Sequence, residues 1–182
     1  MVNLDKNTLK ELLLKLVEIK KRINNYDVGG AANILDSTAS KFLLIDKKIA
    51  DNLYDLYDSI KDRLYPIDNR PKLVPEFEKG IISSIHFACN YYLIQIDPTF
   101  EKLVKISNVV VLKASRGDSS CYIDAKELLN LIYIYDKGKY EEYKREMSYC
   151  NSYNDYSRLY KQTQEICGNL FKNLTDRVLK SL

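Results

Sequence analysis

Asn7-Thr-Leu-Lys-Glu-Leu-Leu-Leu-Lys-Leu-Val-Glu-Ile-Lys-Lys-Arg-Ile-Asn-Asn25 is the stretch from which the rest of the chain is read. Its apolar residues Leu9, Leu12, Leu13, Leu16, Ile19 and Ile23 recur at spacings of mainly 3 and 4. That period puts them on one side of an α-helix and lets the helix bury a single stripe. Lys10, Lys15, Lys20, Lys21 and Arg22 fall outside the stripe and predict a basic opposite face, diluted by Glu11 and Glu18. Asn7 or Thr8 suits the N-cap, and Tyr26-Asp-Val-Gly-Gly30 predicts the end of the helix.

The same period repeats along the chain. A second helix is expected over Ala31–Leu44, and a third runs from a cap at Asp46 until Pro66 stops it. Pro66–Val74 reads as a loop and a hinge, with Pro75 opening a fourth helix that reaches Ile96. That helix is apolar nearly all round, Phe87 included, so it is expected at the centre of a bundle. Asp97-Pro98 caps and opens a fifth helix. Val109-Val-Val111 is β-branched and suits a strand, but no second strand exists to pair with it. Ser115–Ser120 is a loop, Asp124 a cap for a helix through Tyr135, and Lys137-Gly138 a break before a short helix to Tyr149. A last helix covers Tyr153–Leu179. The expectation is all-α: a single compact bundle of seven or eight helices with short loops, residues 1–182 forming one domain.

Composition narrows the class. The chain has 182 residues with formal net charge +3, 46% hydrophobic and 29% charged residues, which suits a folded domain rather than a disordered one. Ile81–Ile96 is the most apolar run, but Ser83, Ser84, His86, Asn90 and Gln95 interrupt it, so no bilayer span is expected. The first residues lack a basic segment followed by a clean apolar one, and no signal peptide is read there. Cys89, Cys121, Cys150 and Cys167 lie 32, 29 and 17 residues apart with no C-x-x-C pair, which predicts free thiols in the cytoplasm or another reducing compartment. The excess of Asp over Glu (15 to 10) and the 14 Asn residues point to a mesophilic source.

Four groups of residues are candidates for function. Asp51, Asp55, Asp58 and Asp62, at steps of 4, 3 and 4, form an acidic stripe opposite Leu53, Leu56 and Ile60. Such a stripe suits a basic partner or simply a solvated face, and it lacks the Glu and E-x-x-H pattern of di-metal bundles. Nine of the 15 tyrosines fall between Tyr122 and Tyr160. Among them Tyr140, Tyr143, Tyr153 and Tyr156 are candidate partner contacts, because tyrosine joins apolar area to a polar tip. Lys10, Lys15, Lys20, Lys21 and Arg22 are candidate phosphate contacts. His86 is the only histidine, too little for a His-rich metal site, and reads as a core or groove side chain. Gly29-Gly30 lacks the G-x-x-x-x-G-K of a phosphate loop, and no nucleophile elbow is present.

No catalytic residue, cofactor or metal is therefore expected. The expectation is a non-catalytic helical interaction module, a subunit, adaptor or inhibitor of viral or host-defence type, partnered by another protein or by itself and not by a membrane. The alternative is a nucleic-acid-binding small subunit of a ribonucleoprotein or defence complex, using the basic first helix.

Overall fold

A computed structural model describes residues 6–63 and 70–181. Among them are eight α-helices and no strand: α1 Lys6–Asn24, α2 Val28–Phe42, α3 Lys47–Arg63, α4 Arg70–Ile96, α5 Pro98–Ser115, α6 Cys121–Tyr135, α7 Lys137–Tyr153 and α8 Tyr156–Ser181. The all-helical expectation holds, and the Val109-Val-Val111 run lies inside α5. The chain divides within α4 into two compact units, one ending at Tyr92 and one running Leu93–Ser181.

In the first unit the α1 stripe is buried as its spacing requires: Leu16, Ile19 and Ile23 are wholly inaccessible. α2 offers the small Ala31, Ala32 and Ala39 with Leu35 and Phe42, and packs on both α1 and α3. Thr38 is buried among them because its hydroxyl donates to the Ile34 carbonyl at 2.8 Å, inside its own helix. α3 meets α4 through the Leu56 side chain, whose Cδ1 would stand 3.3 Å from a Cβ on Gly80. α4 is tied to α1 by Asn24 Nδ2, which donates to Glu78 Oε1 at 3.0 Å.

The second unit is a four-helix ring: α5 packs on α6, α6 on α7, α7 on α8, and α8 back on α5. Connections of a few residues make sequential neighbours antiparallel. Phe100 fills its core at one end, edge-on to Tyr135 (6.3 Å between centroids) and to Phe171 (5.5 Å). Three helices of the molecule, α1, α5 and α7, end in the same way. The amide of Asp27, Asp118 or Asp155 donates five residues back, to Arg22, Lys113 or Cys150. The residue before each, Tyr26, Gly117 or Asn154, has positive φ (62°, 69° and 50°). This is the Schellman arrangement that satisfies late carbonyls.

Several expected boundaries move. α4 begins at Arg70, five residues before Pro75. Of the expected hinge loop 66–74, residues 66–69 lie outside the described residues and 70–74 are helical. Pro71 stands at the second helical position, where the missing N–H has no intrahelical acceptor to lose, so a proline there does not mark a helix outside. α2 begins at Val28, three residues early: Asp27 Oδ1 accepts from Gly30 N at 3.0 Å and caps it. A Cβ on Gly30 would overlap the Asp27 carboxylate and the Arg22 guanidinium, so the glycine belongs to the start of α2 and not to the end of α1. Asp124 is no cap: α6 begins at Cys121, and Asp124 pairs with Lys113 at 2.7 Å. Lys137-Gly138 opens α7 under a cap from Asp136, whose Oδ1 accepts from Lys139 N. α4 also buries one side only, and Phe87 is 42% exposed rather than central.

Asp97 joins three partners. Its Oδ1 accepts from Thr99 N (2.9 Å) and Phe100 N (3.2 Å), while Oδ2 accepts from the Tyr135 hydroxyl at 2.7 Å. Asp97→Ala removes a cap and a charged hydrogen bond together. It is expected to cost about 2–4 kcal/mol in urea unfolding. Asp97→Asn keeps an acceptor at the cap and should lose less than half as much. Equal losses for the two variants would contradict this division of roles.

Candidate functional site

On α3 the buried residues Ile49, Leu53, Leu56 and Ile60 face inward. Asp51, Asp55, Asp58 and Asp62 all stand on the exposed side of the same helix. At about 1.5 Å per residue the row is roughly 16 Å long. Lys47 Nζ holds Asp51 at 2.6 Å, and no ion pair among the described residues reaches Asp55, Asp58 or Asp62. Like charges spaced one turn apart repel, so the row favours a cation from outside over its own neighbours.

Beside this row, α3 and α4 enclose a groove of about 550 Å³. Leu56, Phe77 and Gly80 form its apolar part, Asp55 and Ser59 line the α3 side, and Lys79 and Ser83 line the α4 side. Phe87 closes one end under Lys48, whose Nζ is 4.8 Å from the ring centroid. The Phe87 and Lys79 contributions were not among the expected site residues. A helical projection would have found Phe87, which sits well off the Phe77–Ile81–Ile85–Ala88 stripe.

The tyrosines separate into different roles. Tyr143 is inaccessible, and its hydroxyl is 2.9 Å from Thr163 Oγ1 in the core of the second unit. As a partner contact it is therefore corrected: position 143 points from α7 toward α8, and spacing alone did not reveal which side of α7 is covered. Tyr156 is half-buried against the Tyr122 ring (5.7 Å), and Tyr140 rests edge-on to Tyr133 (5.1 Å). Tyr153 is 71% exposed beside Tyr149. Tyr149 in turn is covered by Arg158, 4.0 Å from its centroid, and Arg158 Nε and Nη2 both donate to Glu146 Oε2. Of the four candidate tyrosines, Tyr153 alone presents most of its ring to solvent.

The basic residues of α1 are not brought together. At about 100° per residue, Lys10 and Lys21 share one line, Lys15 and Arg22 another, and Lys20 flanks the buried stripe. Arg22 donates to Glu18 and to Asp27, both at 2.8 Å, and Lys20 stands 4.0 Å from Glu78. Two of the five charges are thus spent inside the unit.

His86 is half-buried on α4. Among the described residues no group of three or more His, Cys, Asp or Glu side chains is placed to hold a metal ion. No helix of the described residues is long and apolar enough to cross a membrane. Cys89, Cys121, Cys150 and Cys167 are buried and outside any disulfide, and burial pushes Cys150 up to about 11 and Cys167 up to about 12. Thiols held protonated are poor nucleophiles, which sets Cys150 and Cys167 apart from activated cysteines. Compared with protein-family models, with curated proteins and with solved structures, the chain matches none.

Proposed function

We propose that this chain is a non-catalytic docking module, a subunit, adaptor or inhibitor, that receives a basic partner protein along α3. The observation that carries the reading is the row Asp51–Asp55–Asp58–Asp62, exposed along one side of α3 and bordered by the groove that Phe87 closes. An acidic row beside a groove that mixes Leu56, Phe77 and Phe87 with charges of both signs suits a partner helix with basic residues on one flank and an apolar edge. Tyr153 is a second contact candidate on the other unit. This reading puts the module in the cytoplasm or another reducing compartment, a setting in which thiols outside disulfides persist.

The test is gel filtration with light scattering on protein recovered from its native host, recording mass and the 260/280 absorbance ratio. The wild-type chain is expected above its own 21.2 kDa with a protein-like ratio. Asp55→Lys with Asp58→Lys should return it to 21.2 kDa with unchanged circular dichroism, because exposed substitutions of this kind alter stability by only about 0.5 kcal/mol. A complex that survives the double reversal removes α3 as the docking face. A raised ratio that falls steeply with salt transfers the reading to nucleic acid, with Lys10, Lys15 and Lys21 as the contacts to test.

A further inference from the structure

We propose that the groove between α6 and α7 binds a small amphiphilic anion, an aromatic carboxylate of about one ring. Its carboxylate lies between Lys126 and Lys144 and its apolar body rests on Leu129 and Met147. The groove lies wholly within the second unit and is independent of the α3 surface.

The helices create it by their register. α6 and α7 run antiparallel from the cap at Asp136, and Tyr122 near the start of α6 reaches the end of α7, its hydroxyl donating to the Cys150 carbonyl at 2.9 Å. Between those two ties the small Ser148 leaves an opening of about 290 Å³. Small-ligand pockets run from roughly 300 to 1,000 Å³, so this one admits a single ring and not a dinucleotide. Its floor is Tyr122, Leu129 and Met147, and it carries two exposed lysines, Lys126 on α6 and Lys144 on α7. No carboxylate lines it among the described residues. The larger α3–α4 groove differs, since Asp55 and Glu76 line it together with Lys48 and Lys79. The α6–α7 opening is thus apolar below, with Ser148 and Asn151 at its rim and its charges of one sign only: Lys126 on one wall and, on the other, Lys144, whose Nζ lies 5.6 Å from the Tyr140 ring centroid. A ligand that satisfies both parts must join an apolar body to a negative group.

Composition supplies the probe. The chain has two methionines, Met1 and Met147, so protein carrying [methyl-13C]methionine gives one methyl signal from the groove and one from the chain start. Titration with 4-ethylbenzoate is expected to move the Met147 signal saturably while leaving the Met1 signal in place. Half-saturation should fall in the millimolar range or below, as about eleven non-hydrogen ligand atoms allow. The uncharged 4-ethylbenzamide should bind about tenfold more weakly or not at all, since two exposed ion pairs together supply about that factor. Lys126→Glu with Lys144→Glu should abolish the shift, and Lys126→Gln with Lys144→Gln should weaken binding about tenfold, with circular dichroism unchanged in both. No movement up to the solubility limit overturns the proposal. So does equal binding of the amide, or an unchanged titration in the double-glutamine variant.

Discussion

Replacing Tyr143 by alanine is expected to destabilise the chain by about 3–5 kcal/mol and to lower its melting temperature by about 10 °C. The side chain is the largest that is fully buried among the described residues. Truncation leaves a cavity between α7 and α8 and strips Thr163 Oγ1 of its partner at 2.9 Å, inside a core that excludes water. Tyr143→Phe separates the two effects. It keeps the ring and removes only the hydroxyl, so it should cost about 1–2 kcal/mol. Urea unfolding monitored by circular dichroism gives both numbers. A Tyr143→Ala chain as stable as wild type would mean that this ring is not core.

The second large effect is loss of stability at alkaline pH. Burial raises Cys150 to about 11 and Cys167 to about 12 from an ordinary 9.0, and Tyr122 to about 12 from 10.0. Burial also raises Cys121, Tyr135 and Tyr143, with the Asp97 hydrogen bond adding to the effect at Tyr135. All six belong to the second unit. The folded chain keeps these protons where the unfolded chain releases them, so above pH 9 the unfolded state binds fewer protons. Stability is therefore complete below about pH 9 and falls as pH rises through the window from 9 to about 12. Cys150 and Cys167 alone should remove about 2 kcal/mol per pH unit between 9 and 11. Urea midpoints at pH 7.5, 9 and 10.5 should be level and then drop. The chain with Cys150→Ala and Cys167→Ala should show a shallower drop, whatever its stability at pH 7.5. An identical slope in that variant would show that other groups govern the alkaline limb.

The sequence by itself determined the helical class and most of the buried stripes. Leu9–Ile23 on α1 and Leu159–Leu174 on α8 are legible because a helix repeats every 3.6 residues and water penalises the apolar side alone. The acidic row was legible for the same reason, since spacing opposite Leu53, Leu56 and Ile60 leaves Asp51, Asp55, Asp58 and Asp62 nowhere to go but outward. Caps were half legible. Asp97 before Pro98 announced itself, whereas Asp27 and Asp136 are recognised as caps only from the amides they accept, because the glycines beside them also suit a helix end.

Tertiary structure alone decided which aromatic rings are covered and which charges are spent. Tyr143 and Tyr153 stand on the same helix with similar neighbours, yet one is sealed against Thr163 and the other is mostly exposed. That difference depends on where α8 lies, which no local pattern encodes. Arg22 and Lys20 look free in the sequence, but Asp27 comes within reach through the turn after α1, and Glu78 from 58 residues beyond Lys20. The two grooves likewise exist only once helices pair, because each is lined by residues of two helices, α3 with α4 and α6 with α7. Periodicity is a property of one helix, and it determines which side is buried. What that side is buried against, and which gaps remain, is set by contacts between residues far apart in the chain.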